Sequence, residues 1–389
     1  MTSIHEIFTT FAPEYLQRYA TRMPKTHRKV IDAIMACRTE ACGLAFYQCE
    51  SCAEARQFYR SCGNRHCPTC QHGKTQQWLE KQIERQLPGH HFLITFTVPQ
   101  PLRSFMRQNQ RVAYSALFKA SSDAIKKLAL DRKHIGADLP GFFGVLHTWG
   151  RTLQYHPHIH YVVSGGALGS SDGSWHPSRI DFFLPVKALS KIFRAQFRDQ
   201  MIQAHRFDQI PSDVWRVDWN VNCQAVSSSE ASLKYLAPYV FKVAISNSRI
   251  VNVQDRTVLI RYRKPHSERP RILALDVMEF IRRFLQHVLP TGFMKIRYYG
   301  FMNPNCAVSL DRIRTLIEIS YGFAVDLPLP DVEPRRPNTC PSCGGPDRSE
   351  FPDRILLSVL RSANESSQGD APWCAQVTHN VAPMLSFAG

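Results

Sequence analysis

The stretch Tyr155-His156-Pro157-His158-Ile159-His160-Tyr161-Val162-Val163 decides the fold predicted for this chain. Its β-branched and aromatic residues favour a strand, and alternate side chains of a strand point to the same face. His156, His158 and His160 therefore project together. Because neutral imidazole is the commonest protein ligand for metal ions, the pattern predicts a divalent-metal or phosphate-handling site rather than an ordinary polar strand face.

The elements around this strand follow from hydrophobic alternation, helical spacing and turn residues. They comprise strands at 92–98, 144–149, 158–164, 214–219 and 294–299, a hairpin of 250–253 with 258–262, and helices at 104–130, 187–206, 227–243, 275–289 and 308–319. Strands with a few interspersed helices predict an α+β fold built on an antiparallel sheet.

Composition restricts the class of partner. The chain has 389 residues, of which 44% are hydrophobic, and its formal net charge is +16. Such an excess of Lys and Arg favours a polyanion, with nucleic acid as the first candidate and a membrane surface as the second. There is no apolar run long enough to span a bilayer and no signal-peptide pattern at the start, so a soluble cytoplasmic protein is expected.

The 12 cysteines indicate metal binding, because thiols stay reduced in the cytosol. Two Cys-x-x-Cys knuckles separated by 14 residues predict one tetrahedral zinc site formed by Cys49, Cys52, Cys67 and Cys70. A second zinc site is predicted from nearby residues; its ligands would be Cys37, Cys62 and His66, completed by Cys42 or His72. A third knuckle, Cys340 with Cys343, lacks an obvious partner, and zinc there or an isolated reduced pair are both compatible with the sequence.

Basic and aromatic residues are interleaved with these knuckles. Arg56, Arg60, Arg65 and Lys74 accompany Phe58 and Tyr59. Cations that hold a phosphate backbone and rings that stack on bases predict a DNA-binding surface.

A tyrosine pair lies on the predicted helix at 227–243. Tyr235, Tyr239 and Lys242 fall on one stripe of a helix, because residues four apart share a face. Tyrosine is a covalent nucleophile when its phenol is activated, and a nearby cation stabilises the phenolate. Pro238 between the two tyrosines predicts a local kink.

These motifs, in this order, resemble the two-tyrosine HUH rolling-circle transposases of bacterial insertion sequences, which carry an N-terminal zinc-binding domain. The segments that carry the resemblance are Leu146-His147-Thr148-Trp149-Gly150, His156-Pro157-His158-Ile159-His160, Tyr235-Leu236-Ala237-Pro238-Tyr239, the stretch 279–293, and Cys340-Pro341-Ser342-Cys343-Gly344-Gly345. The resemblance covers roughly residues 24–345. It implies an HUH-type central antiparallel sheet flanked by helices and preceded by a small zinc-binding module.

The resemblance also implies a mechanism. His158 and His160 would hold Mg²⁺ or Mn²⁺ over the scissile phosphate, with His147 as the first choice for the third ligand and His156 as the second. Tyr235 or Tyr239 would attack single-stranded DNA at a transposon end. The products would be a 5′-phosphotyrosine and a free 3′-OH, and rejoining would need no ATP.

The predicted domains are a Cys-rich zinc-binding domain at 1–85, a catalytic domain at 86–325, and a linker, knuckle and flexible tail at 326–389. Expected partners are single-stranded transposon-end DNA and target DNA, with a possible homodimer, in the cytoplasm near the nucleoid. Alternative readings are a histidine-triad nucleotide hydrolase or transferase, a plasmid replication initiator or relaxase, and a non-enzymatic zinc-dependent DNA-binding regulator.

Overall fold

A computed structural model describes residues 3–49, 51–226, 244–264, 267, 269–322, 340 and 342–344, apart from the side chains of 47, 48, 71–74 and 76. Two compact units divide the chain. The first, named the catalytic unit after the catalytic domain predicted at 86–325, comprises residues 1–35 and 63–332. The second, the hairpin unit, comprises residues 36–62 and 333–389. The predicted domain boundaries at 85 and 325 stay a prediction, because contacts divide the chain at other points.

The secondary structure alternates between helices and strands along the chain. The helices are α1 (Ile4–Tyr19), α2 (Lys25–Ala36), α3 (Gln71–Glu84), α4 (Leu102–Gln108), α5 (Gln110–Leu130), α6 (Val186–Gln203), α7 (Val277–Leu285) and α8 (Leu310–Tyr321). The strands are β1 (Leu44–Gln48), β2 (Ala55–Tyr59), β3 (His91–Thr97), β4 (Leu139–Trp149), β5 (Tyr155–Leu168), β6 (Trp175–Pro177), β7 (Asn220–Val226), β8 (Ile250–Gln254), β9 (Thr257–Arg263), β10 (Pro270–Asp276) and β11 (Ile296–Tyr299).

The central sheet of the catalytic unit has the strand order β11-β4-β5-β3-β7, and short β6 pairs with β5. Each of these pairings is antiparallel. The longest of these strands is β5, which begins with the histidine stretch. The predicted α+β fold, with a central antiparallel sheet flanked by helices, is confirmed.

The two faces of β5 have different environments because its side chains alternate. Ile159 and Tyr161 are fully buried in the main hydrophobic core, which also contains residues of α5 and α6. The hydroxyl of Tyr161 lies 2.7 Å from Ser121 Oγ on α5. The phenol therefore has the polar partner that its burial requires, and the histidines are left on the opposite face.

A second antiparallel sheet, in the order β10-β9-β8, belongs to the same unit. The side chain of Asp276 caps α7 at the end of β10 by accepting bonds from the backbone amides of Met278 and Glu279. Apolar residues of α7 are buried, and the ring of Phe284 packs edge-on against Phe8 of α1 at 5.1 Å. This contact fixes α1 on the catalytic unit.

The predicted strand at 214–219 is wrong. Ser212–Trp215 forms a 3₁₀ turn, and β7 begins at Asn220. The indole of Trp219 stacks on that of Trp215 at 6.0 Å and donates a hydrogen bond to the carbonyl of Val214. The apolar alternation therefore reflects rings packed around a tight turn. The helix predicted at 104–130 is also interrupted, at Asn109, where φ is −118° and ψ is 41°.

Among the described helices, none is both long enough and apolar enough to cross a membrane.

Candidate active site and zinc centres

The candidate active site lies on neighbouring strands β4 and β5 of the central sheet. His147 on β4 is directly opposite His158 on β5, and His160 is two residues further along β5. The ligand nitrogens of these three histidines lie within 4.8 Å of one another. Period-two side-chain alternation and antiparallel pairing together create this cluster, which we call the histidine cluster.

Hydrogen bonds orient two of the three rings. Nδ1 of His158 donates to the carbonyl oxygen of His156 at 2.6 Å, so Nε2 of that ring carries the lone pair. Nδ1 of His160 lies 2.9 Å from Thr95 Oγ1 on β3. A metal-binding histidine usually has its other ring nitrogen held in this way, because the bond fixes the tautomer and the ring plane.

The histidine cluster is uncharged near neutral pH. Burial lowers the pKa of His147 and His158 well below the usual value, and it lowers the pKa of His160 to about 4. Neutral imidazole is the form that binds metal, since protonation removes the lone pair. Three such nitrogens on rigid strands fit a divalent cation, and nitrogen donors favour Mn²⁺ somewhat more than Mg²⁺.

His156 is outside the histidine cluster although it belongs to the same alternating series. Its ring centroid lies 5.0 Å from that of His158. Burial, together with the nearby charge of Arg103 on α4, lowers the pKa of His156 to about 4. His156 therefore differs from His158 and His160 in that it does not join His147 in the cluster.

Three further residues around the cluster were not among the candidates from the sequence. They are Thr95, Arg103 and Lys295. Lys295 precedes β11 and lies 4.7 Å above the ring of Trp149, and burial lowers its pKa to about 7. A single threonine, arginine or lysine cannot be recognised as a site residue from one sequence. Only strand pairing and helix packing bring these residues to the histidines.

The proposed nucleophile helix lies outside the described residues. Tyr235, Tyr239 and Lys242 fall in the segment 227–243, so their role stays a prediction. The segment begins directly after β7.

A candidate zinc centre in the hairpin unit joins residues that are almost 300 positions apart. It consists of the thiols of Cys49, Cys52, Cys340 and Cys343. The sulfurs of Cys49 and Cys343 are 3.5 Å apart, and those of Cys52 and Cys340 are 3.7 Å apart. A tetrahedral zinc with Zn–S bonds of about 2.3 Å separates its sulfurs by about 3.8 Å, whereas a disulfide needs about 2.05 Å. The spacing therefore fits zinc.

Local backbone geometry supports this centre. The amides of Cys52 and Ser51 lower the pKa of Cys49 to about 7, which favours the thiolate that zinc binds. Gly344 has φ of 71°, and its N–H donates to the carbonyl of Cys340. Such a tight turn after the second cysteine is compatible with glycine at little cost.

The expected grouping of Cys49 and Cys52 with Cys67 and Cys70 is not what the structure shows. Cys67 and Cys70 are grouped instead with Cys37 and Cys62. The β1–β2 hairpin explains the difference, because Gln48 pairs with Ala55 near its turn and Leu44 pairs with Tyr59 at its base. Five strand residues span about 13 Å, so thiols at the two ends of the hairpin do not reach one ion.

His66 is not part of either thiol group of the described residues. Its ring is buried, and Nε2 accepts a hydrogen bond from the backbone amide of Leu289 at 3.1 Å. Burial lowers the pKa of His66 to about 3, so the ring stays neutral as an acceptor. The described contact gives His66 a structural role, and its predicted role as a zinc ligand stays a prediction.

The predicted DNA-binding residues are divided between the two units. Arg56 and Arg60 belong to the hairpin unit, where Phe58 and Tyr59 are about half exposed. Arg65 belongs to the catalytic unit and donates to the carbonyl of Phe293 at 2.8 Å. The side chain of Lys74 lies outside the described set. The role of these four residues in DNA binding stays a prediction.

Comparison with known proteins identifies the family. Residues 141–309 match the family Y2_Tnp, described as putative transposase, and residues 7–98 match the transposase zinc-binding domain Zn_Tnp_IS91. The chain is 33% identical over 369 residues to putative transposase y4qJ of Sinorhizobium fredii (strain NBRC 101917 / NGR234), an alignment that covers 87% of this chain and 92% of the relative. The chain belongs to this transposase family.

A second relative of this transposase is the transposase for insertion sequence element IS801 of Pseudomonas savastanoi pv. phaseolicola. It is 27% identical over 319 residues, covering 75% of this chain and 74% of the relative. No solved structure matches the chain. The catalytic family match contains the histidine cluster, and the zinc-domain match contains both N-terminal knuckles. The family assignment predicted from the sequence motifs is confirmed.

Proposed function

We propose that this transposase cleaves and rejoins single-stranded DNA at transposon ends by a rolling-circle mechanism with a 5′-phosphotyrosine intermediate. The observation that supports this most directly is the cluster of His147, His158 and His160 on paired strands of the central sheet. Three neutral imidazoles on one rigid face suit a catalytic divalent ion, whereas a purely DNA-binding protein has no need of them.

The histidine cluster would hold Mg²⁺ or Mn²⁺. The ion, when bound, polarises phosphate oxygens and stabilises the charge that develops on the leaving oxygen. The chain itself contributes rigid placement: Thr95 and the carbonyl of His156 hold the rings of His160 and His158. Fixed ligands avoid reorganisation at the moment of reaction.

Tyr235 or Tyr239 would supply the nucleophile. The phenolic oxygen attacks phosphorus after losing its proton to a base, a new phosphorus–oxygen bond forms, and the bond to the 3′-oxygen breaks. The released 3′-oxygen takes up a proton. Lys242, on the same predicted stripe, would stabilise the phenolate. The phosphotyrosine bond would conserve the energy of the broken phosphodiester, so a 3′-OH could attack it, release the tyrosine and rejoin the strand without ATP. The second tyrosine would accept a second strand end before the first is released.

The zinc centres would hold the DNA-binding hairpin in its fold. The exposed rings of Phe58 and Tyr59, with Arg56 and Arg60, would contact transposon-end or target DNA. A homodimer is compatible with this proposal, and location near the nucleoid stays a prediction.

Covalent trapping tests the proposal. The protein is incubated with Mn²⁺ and 5′- or 3′-labelled single-stranded DNA from the ends of its element, and the adduct is mapped by mass spectrometry. We expect DNA linked through its 5′-phosphate to Tyr235 or Tyr239. The double substitution Tyr235→Phe with Tyr239→Phe should abolish the adduct, and His158→Ala should reduce its rate at least 100-fold, on the order of a lost catalytic group.

The same experiment separates the alternatives. A nucleotide on His158 instead of tyrosine would indicate a histidine-triad transferase. If the double tyrosine variant kept the full activity of the protein on DNA, the protein would be a non-enzymatic regulator. The transposase matches favour the first proposal over both, and they favour transposon ends over a plasmid origin, which a replication initiator or relaxase would use.

A further inference from the structure

A cavity lies beside α4 in the catalytic unit. It has a volume of about 560 Å³, within the range typical of small-molecule sites. Its lining comes from α1, the start of α2, α4, the start of α5 and α7. Tyr15, Tyr19 and Met278 provide apolar surface, and Arg107 and Gln286 provide polar groups.

The cations of α4 connect this cavity to the histidine cluster. Arg103 and Arg107 are four residues apart, so they share one face of the helix, about 6 Å apart along its axis. Helix α4 packs against β5, the strand that carries His158 and His160. Arg107 lines the cavity and donates to Gln286 Oε1 at 2.8 Å.

Neither arginine has an anionic partner among the described residues. The ion pairs found there do not include Arg103 or Arg107, and Arg103 Nε is buried without a hydrogen-bond partner. Arg107 is half-buried, and burial and Arg282 lower its pKa. Removing a cation from water without a counter-charge costs free energy. A bound phosphate offsets that cost through charge-assisted hydrogen bonds.

The acidic groups of the cavity are already engaged by the fold. Glu279 accepts from Arg282 at 2.5 and 2.8 Å and from Arg283 at 2.7 Å. Asp276 caps α7. These contacts partly neutralise the carboxylates, and Arg22 and Arg107 add further positive charge to the lining of the cavity.

An aromatic pair forms one wall. The rings of Tyr15 and Tyr19 lie 4.8 Å apart, and Tyr19 is 42% exposed. Proteins hold single-stranded nucleic acid with exposed aromatic rings next to cations, because the flat face of every base stacks on such a ring.

We propose that Arg103 and Arg107 hold neighbouring phosphates of the single DNA strand that enters the active site, and that the cavity receives one base of this strand against Tyr19. The proposal rests on the function proposed above, because it extends the DNA path away from the histidine cluster. Arg103 and Arg107 act as positioning residues that place the strand.

Binding without cleavage tests this path separately from the chemistry. A fluorescein-labelled oligothymidylate is titrated with the zinc-loaded full-length protein, without added Mg²⁺ or Mn²⁺, at several salt concentrations, and anisotropy gives the affinity. We expect Arg103→Ala and Arg107→Ala each to weaken binding and to reduce the slope of log K against log[salt] by about 0.7, the value for one single-strand phosphate contact. Tyr19→Ala should weaken binding about 5- to 150-fold and leave the slope unchanged.

Arg198→Ala is the matched control, since Arg198 is an exposed arginine of α6 that does not line the cavity. It should change neither affinity nor slope, and Arg107→Lys should keep the slope. Thermal unfolding of each variant shows whether the fold is retained, and Tyr19 is exposed enough for its variant to fold. Unchanged affinity and slope in both α4 variants would overturn the inference even if the phosphotyrosine is found. If DNA binding weakened as expected but no phosphotyrosine were found, only the proposed cleavage chemistry would be contradicted.

Discussion

At the scale of single residues, the three histidines of β5 have different surroundings. His158 and His160 join His147 across the strand pair, whereas His156 is outside the histidine cluster. Side-chain alternation along β5 does not distinguish these three histidines from one another. Position relative to the neighbouring strand distinguishes them, because a ligand set needs donors from more than one element.

Thr95 is the residue whose role is most readily tested. Its hydroxyl lies 2.9 Å from Nδ1 of His160 and fixes that ring. Thr95→Val keeps the shape and removes the hydrogen bond, so we expect metal affinity at the histidine cluster to fall about 10- to 100-fold. Mn²⁺ titration followed by electron paramagnetic resonance measures the change.

Ser122→Ala provides the control for this substitution. Ser122 is a buried hydroxyl of α5 that bonds its own helix at the carbonyl of Lys119. Its loss should leave Mn²⁺ affinity unchanged. Equal Mn²⁺ affinity in Thr95→Val and the unaltered protein would show that Thr95 does not orient a ligand.

At the scale of elements, the β1–β2 hairpin determines how the cysteines are shared. Its turn carries Cys49 and Cys52, and the C-terminal knuckle of Cys340 and Cys343 meets that turn. A closed thiolate site supplies folding energy directly. The C-terminal knuckle is therefore part of the zinc-binding fold rather than an isolated pair.

Zinc content distinguishes this arrangement from the one expected from spacing. Two thiol groups predict two zinc ions per chain, and Cys340→Ser should release one of them, as measured by inductively coupled plasma mass spectrometry. Cys306→Ser is the control, because Cys306 belongs to neither group and should retain both ions. Full zinc content after loss of Cys340 would instead favour a site made from the N-terminal knuckles alone.

At the scale of the whole molecule, buried histidines tie stability to pH. His91 on β3 is buried, and burial lowers its folded-state pKa to about 4 from the usual 6.5. The unfolded state therefore binds more protons between these values. Stability is fully present above about pH 6.5 and is lost as pH falls toward 4, by at most about 1.4 kcal/mol per pH unit for this residue.

Urea unfolding at pH 7, 6 and 5, followed by tryptophan fluorescence, measures this slope. We expect the free energy of unfolding to decrease at each step. His91→Gln should make the decrease shallower, because one of the titrating groups is removed. His134→Gln is the control at a partly exposed position and should leave the slope unchanged. The same slope in His91→Gln as in the unaltered protein would exclude His91 as a source of the acid sensitivity.

The sequence by itself determined the parts of this protein that depend on local order. Period-two alternation at 155–163 identified β5 and its histidine face, Cys-x-x-Cys knuckles identified zinc ligands, and motif order identified the transposase family. These signals are readable because each arises from neighbours a few residues apart. The strand predicted from local order at 214–219 is wrong, because aromatic rings packed around a turn give the same apolar alternation as a strand.

Only the tertiary structure decided which distant residues meet. Antiparallel pairing placed His147 opposite His158 and Thr95 beside His160, and the hairpin separated the cysteine knuckles and left Cys49 with Cys343. Helix packing placed α4 against β5 and brought Arg107 to the cavity. Such contacts join residues tens to hundreds of positions apart, and they arise from strand register and core packing, which local residue order does not encode.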